Sequence, residues 1–205
     1  MTAALALNPE VLPAPAADAR RGEFPCTLSL RHAGAREVAL RFEVRGDLAQ
    51  PVVAVLGGIS AGRHVASSQA FGEAGWWERQ RAVLDAHCVV SIDWLGADGT
   101  LDAPIDSADQ AQALAAVLDH MGIARVTAIV GSSYGAMVGL AFAAAFPQRV
   151  GHLVCIAGAH RPHPFASAWR ALQRQIVQLG QLQCAETQGL SLARQLALLS
   201  YRTPE

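Results

Sequence analysis

The segment Gly131-Ser132-Ser133-Tyr134-Gly135 is the part of this chain whose residue types and spacing speak most directly of chemistry. It reads Gly-x-Ser-x-Gly. The β-branched, apolar run Val126–Val130 enters it, and a run of small residues leaves it. A strand that turns sharply into a helix lifts the central serine hydroxyl out of the turn, where it can act as a nucleophile. A hydroxyl is a poor nucleophile until a base takes its proton. Ser133 in this setting therefore implies acyl transfer and calls for a histidine and an acid elsewhere. Ser132 is read as a packing residue.

An acyl group attacked by serine develops a negative oxygen, which backbone N–H groups can hold. Two amides are placed for that task. Tyr134 follows the nucleophile and opens the helix. Ile59 lies in a second glycine-rich loop, Gly57-Gly58-Ile59-Ser60-Ala61-Gly62, at the end of another apolar run. This loop lacks the Gly-Lys-Ser/Thr ending of a phosphate loop.

The base is harder to find. The histidines are His32, His64, His87, His120, His152, His160 and His163, and only the last three follow Ser133. His152 opens a strand-like run, and the other two sit in a loop. Beyond Ser133 the acids are Glu186 and Glu205, and neither ends a strand. No triad Asp or His is assigned in this chain. Among the arginines near the C-terminus, Arg174 is the candidate for holding a substrate anion. It lies mid-helix beside an apolar face, and a guanidinium can grip a carboxylate through two parallel hydrogen bonds.

These residues need a scaffold. Phe24–Arg31 and Glu37–Val44 read as a hairpin about His32-Ala33-Gly34. Pro51–Leu56, Cys88–Ile92, Val126–Val130 and His152–Ala157 read as buried strands. Between them, helical spacing appears over Trp76–Ala86, with Trp77, Ala82 and Leu84 as core positions. It appears again from Asp106 or Ser107 to Met121, and from Tyr134 to Phe146, where Pro147 stops it. Alternation of strand and helix predicts a doubly wound α/β fold with a mostly parallel sheet covered on both faces. After Ala157 the pattern becomes helical only, over Pro164–Leu182 and Leu190–Tyr201. The chain divides into a loose N-terminal arm (1–22), an α/β core (23–160) and a helical lid segment (161–205).

Composition narrows the classes. The hydrophobic fraction of 52% permits a sizeable core, and a net charge of −1 gives no reason to expect nucleic acid or an anionic membrane. All 16 basic residues are arginine, which removes lysine-based mechanisms. The cysteines 26, 88, 155 and 184 lack metal-ligand spacing and read as buried free thiols of a reducing, cytoplasmic setting. No metal site, no secretory leader and no membrane span is expected.

Taken together the motifs resemble the homoserine O-acyltransferases of the α/β-hydrolase fold. Gly57-Gly58-Ile59-Ser60 stands where that family has its oxyanion loop, and Gly75-Trp76-Trp77-Glu78 looks like its Gly-Trp-Trp signature. Leu95-Gly96 with Gly99-Thr100 is similar to its Leu-Gly-Gly loop. Gln173-Arg174-Gln175 and Tyr201-Arg202-Thr203 resemble lid motifs. The resemblance implies acyl transfer from an acyl-CoA, succinyl-CoA favoured, to the hydroxyl of L-homoserine through an acyl-Ser133 intermediate. The pathway implied is methionine biosynthesis. Acyl-CoA serves as co-substrate without a bound cofactor, and a homodimer is compatible with the family. The chain resembles the N-terminal part of such an enzyme, with the C-terminal strands that carry the catalytic Asp and His absent. A serine esterase of the same fold, a non-catalytic fragment, and L-serine as the acceptor are the alternatives.

Overall fold

Val52–Leu56 and Cys88–Ile92 are buried at every position, as continuous apolar runs inside a two-sided sheet must be. The structure is a computed structural model that describes residues 18–183 and 186–200. It divides into two units, one ending at His160 and the other beginning at Arg161. Residues 1–17, Cys184 and the Tyr201-Arg202-Thr203 motif lie outside the described residues.

In the first unit, β1 (Ala19–Leu30) and β2 (Gly34–Arg45) form an antiparallel hairpin. Then follow β3 (Val52–Leu56), α1 (Arg81–Leu84), β4 (Cys88–Ile92), α2 (Ser107–His120), β5 (Val126–Ser132), α3 (Tyr134–Ala145) and β6 (Val150–Ile156). The six-stranded sheet runs β1-β2-β4-β3-β5-β6. Strand β2 meets β4 antiparallel, whereas β4, β3, β5 and β6 are parallel. This is the mostly parallel α/β sheet expected from the sequence. One face is filled by Leu114, Leu118, Val138 and Phe142 from α2 and α3, packed against Val126 and Ile129. On the other, Val53, Val55 and Val89 pack with Val65, Ala66 and Leu84.

Helix α2 starts where its chemistry says it should. The Asp106 carboxylate accepts from the amides of Ala108 and Asp109, and the Asp106 amide donates to the Asp109 carboxylate. This reciprocal box satisfies donors that the first turn leaves free.

Four details differ from the sequence reading. Strand β1 begins at Ala19, inside the stretch read as arm, because Ala19–Gly22 pair with Arg45–Phe42. The helix expected over Trp76–Ala86 shrinks to a 3-10 turn at Glu78–Gln80 and the short α1. The Glu78 carboxylate bonds the amides of Ser67 and Gly75, and this holds the residues before it as a loop. Accordingly Leu84 is buried and Trp77 half-buried, but Ala82 is exposed and Arg81 takes an interior position. Strand β6 is not buried: Val154 and Ile156 are 46% and 41% exposed, because β5 is its only strand partner among the described residues. The thiols differ likewise. Cys88 is buried, and its burial pushes the thiol pKa up to about 11. Cys26 is half-buried, and Cys155 on β6 is exposed.

The second unit consists of α4 (Pro164–Gln183) and α5 (Glu186–Leu199). No helix of the described residues is long and apolar enough to cross a membrane.

Candidate active site

The site grows out of two adjacent parallel strands. Leu56 at the end of β3 lies level with Gly131 near the end of β5. The two loops that follow therefore leave the same edge of the sheet side by side.

At the end of β5 the chain turns through Ser133 with φ 54° and ψ −114°. A non-glycine residue with positive φ is uncommon and costs free energy that the surroundings must repay. Here they do so with hydrogen bonds. The Ser133 amide donates to the Ile156 carbonyl at 2.8 Å, and the Ser133 carbonyl accepts from the amides of Ala136 and Met137. The flanking glycines are demanded by contact. A Cβ on Gly131 would stand 2.6 Å from Ala136, and one on Gly135 would collide with the Leu56 carbonyl. The Ser133 side chain itself is exposed.

The loop from β3 is held against the elbow at several points. Gly57 accepts from the Gly135 amide at 2.8 Å, and Gly58 accepts from the Trp94 indole N–H at 2.9 Å. The Trp94 ring also meets the Tyr134 ring edge to face, 5.1 Å apart. Behind the loop, the Trp76 indole donates to the Gly62 carbonyl, and the Arg63 amide donates to Asp93 Oδ1. Gly58 backs directly onto the nucleophile: a Cβ there would lie 4.0 Å from Ser133 Cβ. The amides of Ile59 and Tyr134 have no acceptor among the described residues, and neither have those of Gly58 and Ser60 beside Ile59. Ile59 and Tyr134 are the residues that the sequence offers as oxyanion donors.

Burial pushes the Tyr134 phenol above its ordinary pKa, against a hydrogen bond with Gln110. Gln110 in turn bonds both the amide and the carbonyl of Leu95. The segment after β4 is thereby tied to α2 on one side and to the Ile59 loop on the other.

A cavity of about 620 Å3 adjoins this loop, walled by Ile59, Ser60, Trp94, Arg41 and Asp98 among others. Ser133 is not among its walls. Arg41 there is paired with Glu23 and Asp98. The Thr100 hydroxyl and amide, with Arg41, hold the Asp98 carboxyl at about 2.

Several histidines are engaged away from Ser133. His64 is bonded through Nδ1 to the buried Glu43 and through Nε2 to the Glu73 carbonyl. His32 pairs with Asp106, and His120 stacks on Phe24 at 3.9 Å. His163 accepts from the Phe165 amide at the start of α4. His152 and His160 are exposed. Among the described residues no histidine joins a carboxylate to Ser133, and no group of three or more His, Cys, Asp or Glu side chains could hold a metal ion. Arg174 lies on α4 in the second unit, in a groove with Arg170 and Arg194.

Trp94, Trp76, Asp93 and Gln110 were not read as site residues from the sequence. Each acts through a backbone group of a distant loop. The only available signals were the position of Trp94 and Asp93 directly after a buried strand and of Trp76 in the Gly-Trp-Trp tag.

Residues 51–204 match the model of the alpha/beta hydrolase fold. The chain belongs to the α/β-hydrolase fold family. Within that fold it is similar to the homoserine O-succinyltransferase of Xanthomonas campestris pv. campestris, at 58% identity over 93% of this chain and 54% of the relative. It is similar to the homoserine O-acetyltransferase of Thermus thermophilus at 34% identity over 82% of this chain and 55% of the relative. The chain spans about half the length of these curated relatives. Among solved α/β-hydrolase folds, the homoserine O-acetyltransferase of Staphylococcus aureus superposes with a TM-score of 0.74 at 18% identity, over 89% of this chain and 58% of that one. Esterase E22 superposes with a TM-score of 0.71 at 19% identity, over 91% and 62%. Both show the shared fold.

Proposed function

We infer that this α/β-hydrolase chain serves an O-acyltransferase that moves an acyl group from acyl-CoA to the hydroxyl of L-homoserine. Succinyl-CoA is the favoured donor. Ser133 Oγ attacks the thioester carbonyl, and the amides of Ile59 and Tyr134 receive the developing oxyanion. Collapse of the tetrahedral intermediate expels the thiol of CoA and leaves acyl-Ser133. The homoserine hydroxyl then attacks the ester, and O-acylhomoserine departs, a step into methionine biosynthesis. Acyl-CoA is a co-substrate, and no bound cofactor takes part. Among the described residues no histidine is placed as the base for Ser133. Arg174 serves as a substrate-anion ligand. The reading puts the protein in the cytoplasm, where acyl-CoA is available, and is compatible with a homodimer.

The observation that carries the choice of substrates is the 58% identity to a homoserine O-succinyltransferase. The elbow alone supports an esterase equally well, because one fold hosts many acyl-transfer functions. The test is thiol release from succinyl-CoA with homoserine, with L-serine and with neither. Release that requires homoserine and disappears in Ser133→Ala supports the reading. Release indifferent to homoserine makes the protein a hydrolase. Homoserine-dependent turnover in full-length relatives but none by residues 1–205 makes this chain a non-catalytic fragment by itself.

A further inference from the structure

His64 is held at both ring nitrogens. Nδ1 lies 3.1 Å from the Glu43 carboxylate, and Nε2 lies 2.9 Å from the Glu73 carbonyl oxygen. A carboxylate and a carbonyl only accept hydrogen bonds, so each ring nitrogen must donate. A neutral imidazole has one N–H and serves one of the two. Its other nitrogen would set a lone pair against an oxygen. The ring therefore fits this place as the imidazolium.

The charges around it agree. Glu43 is buried on β2, and a buried carboxylate calls for partners. It accepts from Arg21 Nε on β1 at 2.8 Å as well as from His64. Arg21 also reaches the Glu73 carboxylate at 3.4 Å and lies over the Phe71 ring. The other cations beside Glu43 on β2 are engaged elsewhere, Arg41 with Glu23 and Asp98 and Arg45 with Asp85. Two cations, His64 and Arg21, thus meet two anions, Glu43 and Glu73.

This cluster sits behind the loop that carries Ile59. The His64 carbonyl accepts from the Trp76 amide at 3.3 Å, and the Trp76 indole donates to the Gly62 carbonyl at 3.0 Å. A Cβ on Gly57 would stand 3.0 Å from the Trp76 ring, so that ring backs onto the residue whose carbonyl holds the Gly135 amide. The His64 side chain ties this segment to the β1–β2 hairpin.

We propose that His64, as an imidazolium between Glu43 and Glu73, is a positioning residue for the loop that carries Ile59, and that losing one ring proton slackens that loop. This rests on the reading of Ile59 as an oxyanion donor. A neutral ring forfeits one of its two bonds. Its contribution is therefore present at lower pH and lost as pH rises.

The first test is magnetic resonance of the histidine rings in the 205-residue chain at about pH 6, below the ordinary histidine range. Both ring N–H protons of His64 should be visible, protected by their bonds, while those of the exposed His152 exchange away. One visible His64 proton, or none, overturns the proposal. The second is amide hydrogen exchange. The Ala61 and Gly135 amides close the loop on itself and onto the elbow. His64→Gln should lower their protection about fivefold, with Ile129 in β5 changed less than about twofold. Unchanged protection at Ala61 and Gly135 overturns the positioning role. Glu43→Gln keeps an acceptor and removes the charge that favours the imidazolium, so it reads the same amides should His64→Gln fail to fold.

Urea unfolding supplies the pH profile. The folding constant of His64→Gln should lie about tenfold below the parent at about pH 6 and within about threefold at about pH 9, a window in which carboxylates and guanidiniums keep their charge. An equal deficit at both assigns His64 to packing and overturns the proposal. His152→Gln should show neither effect. Thiol release separates the two claims. Homoserine-dependent release with kcat unchanged in His64→Gln removes the positioning role and leaves the acyltransferase reading standing. Looser Ala61 and Gly135 amides in a protein whose thiol release ignores homoserine keep the positioning role and remove the acyltransferase reading.

Discussion

The Gly135 amide donates to the Gly57 carbonyl across 2.8 Å, and so the first turn after the nucleophile is fastened to the loop that carries the Ile59 amide. The bond spans two strands that are neighbours in the sheet but far apart in sequence. It ties the elbow to the loop that carries one of the two proposed oxyanion donors, and fixed dipoles of that kind are where electrostatic stabilisation gains most.

Gly135→Ala tests that junction. The new methyl group would meet the Leu56 carbonyl and stand 2.6 Å from the Gly57 carbonyl oxygen. Neither is the end of a flexible side chain, so the backbone must give way. The substitution should destabilise the first unit by about 3 kcal/mol, at the upper end for an overpacked site. Urea unfolding against the parent chain reads it. A loss below about 0.5 kcal/mol would mean that the two loops are not in contact.

Strain at the nucleophile gives a second expectation. Ser133 sits at φ 54° and ψ −114°, a conformation that glycine adopts without steric cost. Ser133→Gly should abolish thiol release yet raise stability by about 1 kcal/mol, the relieved strain less the extra entropy of glycine in the unfolded chain. Ser133→Ala keeps a Cβ and should stay within about 0.5 kcal/mol of the parent. Thermal unfolding of the three proteins side by side distinguishes stored strain from loss of a hydroxyl contact.

Trp94 is the third. Its indole N–H bonds the Gly58 carbonyl at 2.9 Å while its ring packs on Tyr134. Trp94→Phe keeps most of the ring contact and removes the donor. The Gly58 carbonyl keeps the Ala61 amide as a donor, so the loss is that of one ordinary hydrogen bond, about 0.5–1.5 kcal/mol. A looser Gly58–Ile59 loop should lower kcat for thiol release about tenfold, with KM for the thioester within twofold. A rise in KM with kcat unchanged would place Trp94 in substrate binding instead.

Much of this was legible in the sequence because it is local. Val52–Leu56, Cys88–Ile92 and Val126–Val130 are continuous apolar runs of strand length, and they are the central strands. The Gly-x-Ser-x-Gly turn and the Gly57-Gly58 loop announce themselves by composition, and parallel pairing then brings them together. What was not legible depends on distant partners. Trp76–Ala86 has helical spacing, yet Glu78 serves as an acceptor for Ser67 and Gly75, and the helix is cut short. Ala19–Gly22 carry no strand signal and are strand only because Arg45–Phe42 pair with them. His152–Ala157 reads as a buried strand because its apolar content is high, and apolar content cannot tell a central strand from an edge. Trp94 and Trp76 reach backbone carbonyls through folds of the loop that no local pattern records.

Acid titration reads the same long-range contacts. Burial alone would raise the Glu78 pKa, but the Ser67 hydroxyl, the Ser67 and Gly75 amides and Arg81 outweigh it, so the carboxyl lies below its ordinary value. Asp106 behaves alike. Its burial is outweighed by the amides of Asp109 and Ala108, by His32 and by Arg31. A carboxyl depressed in the folded state contributes stability that is fully present above its unfolded pKa, about 4, and is lost as pH falls through the lower folded value. Glu78→Gln and Asp106→Ala should therefore destabilise most at neutral pH, and their deficits should shrink as pH drops below about 4. For Asp106→Ala the deficit at pH 7 should be about 1 kcal/mol, the ordinary worth of an N-cap. Asp106→Asn separates cap from charge. It keeps an acceptor for the Ala108 and Asp109 amides, so it should recover most of the loss at pH 7 and show a flatter acid limb than the parent. An Asn variant as unstable as the Ala variant would assign the contribution of Asp106 to its charge contacts with Arg31 and His32 instead of to the helix it begins.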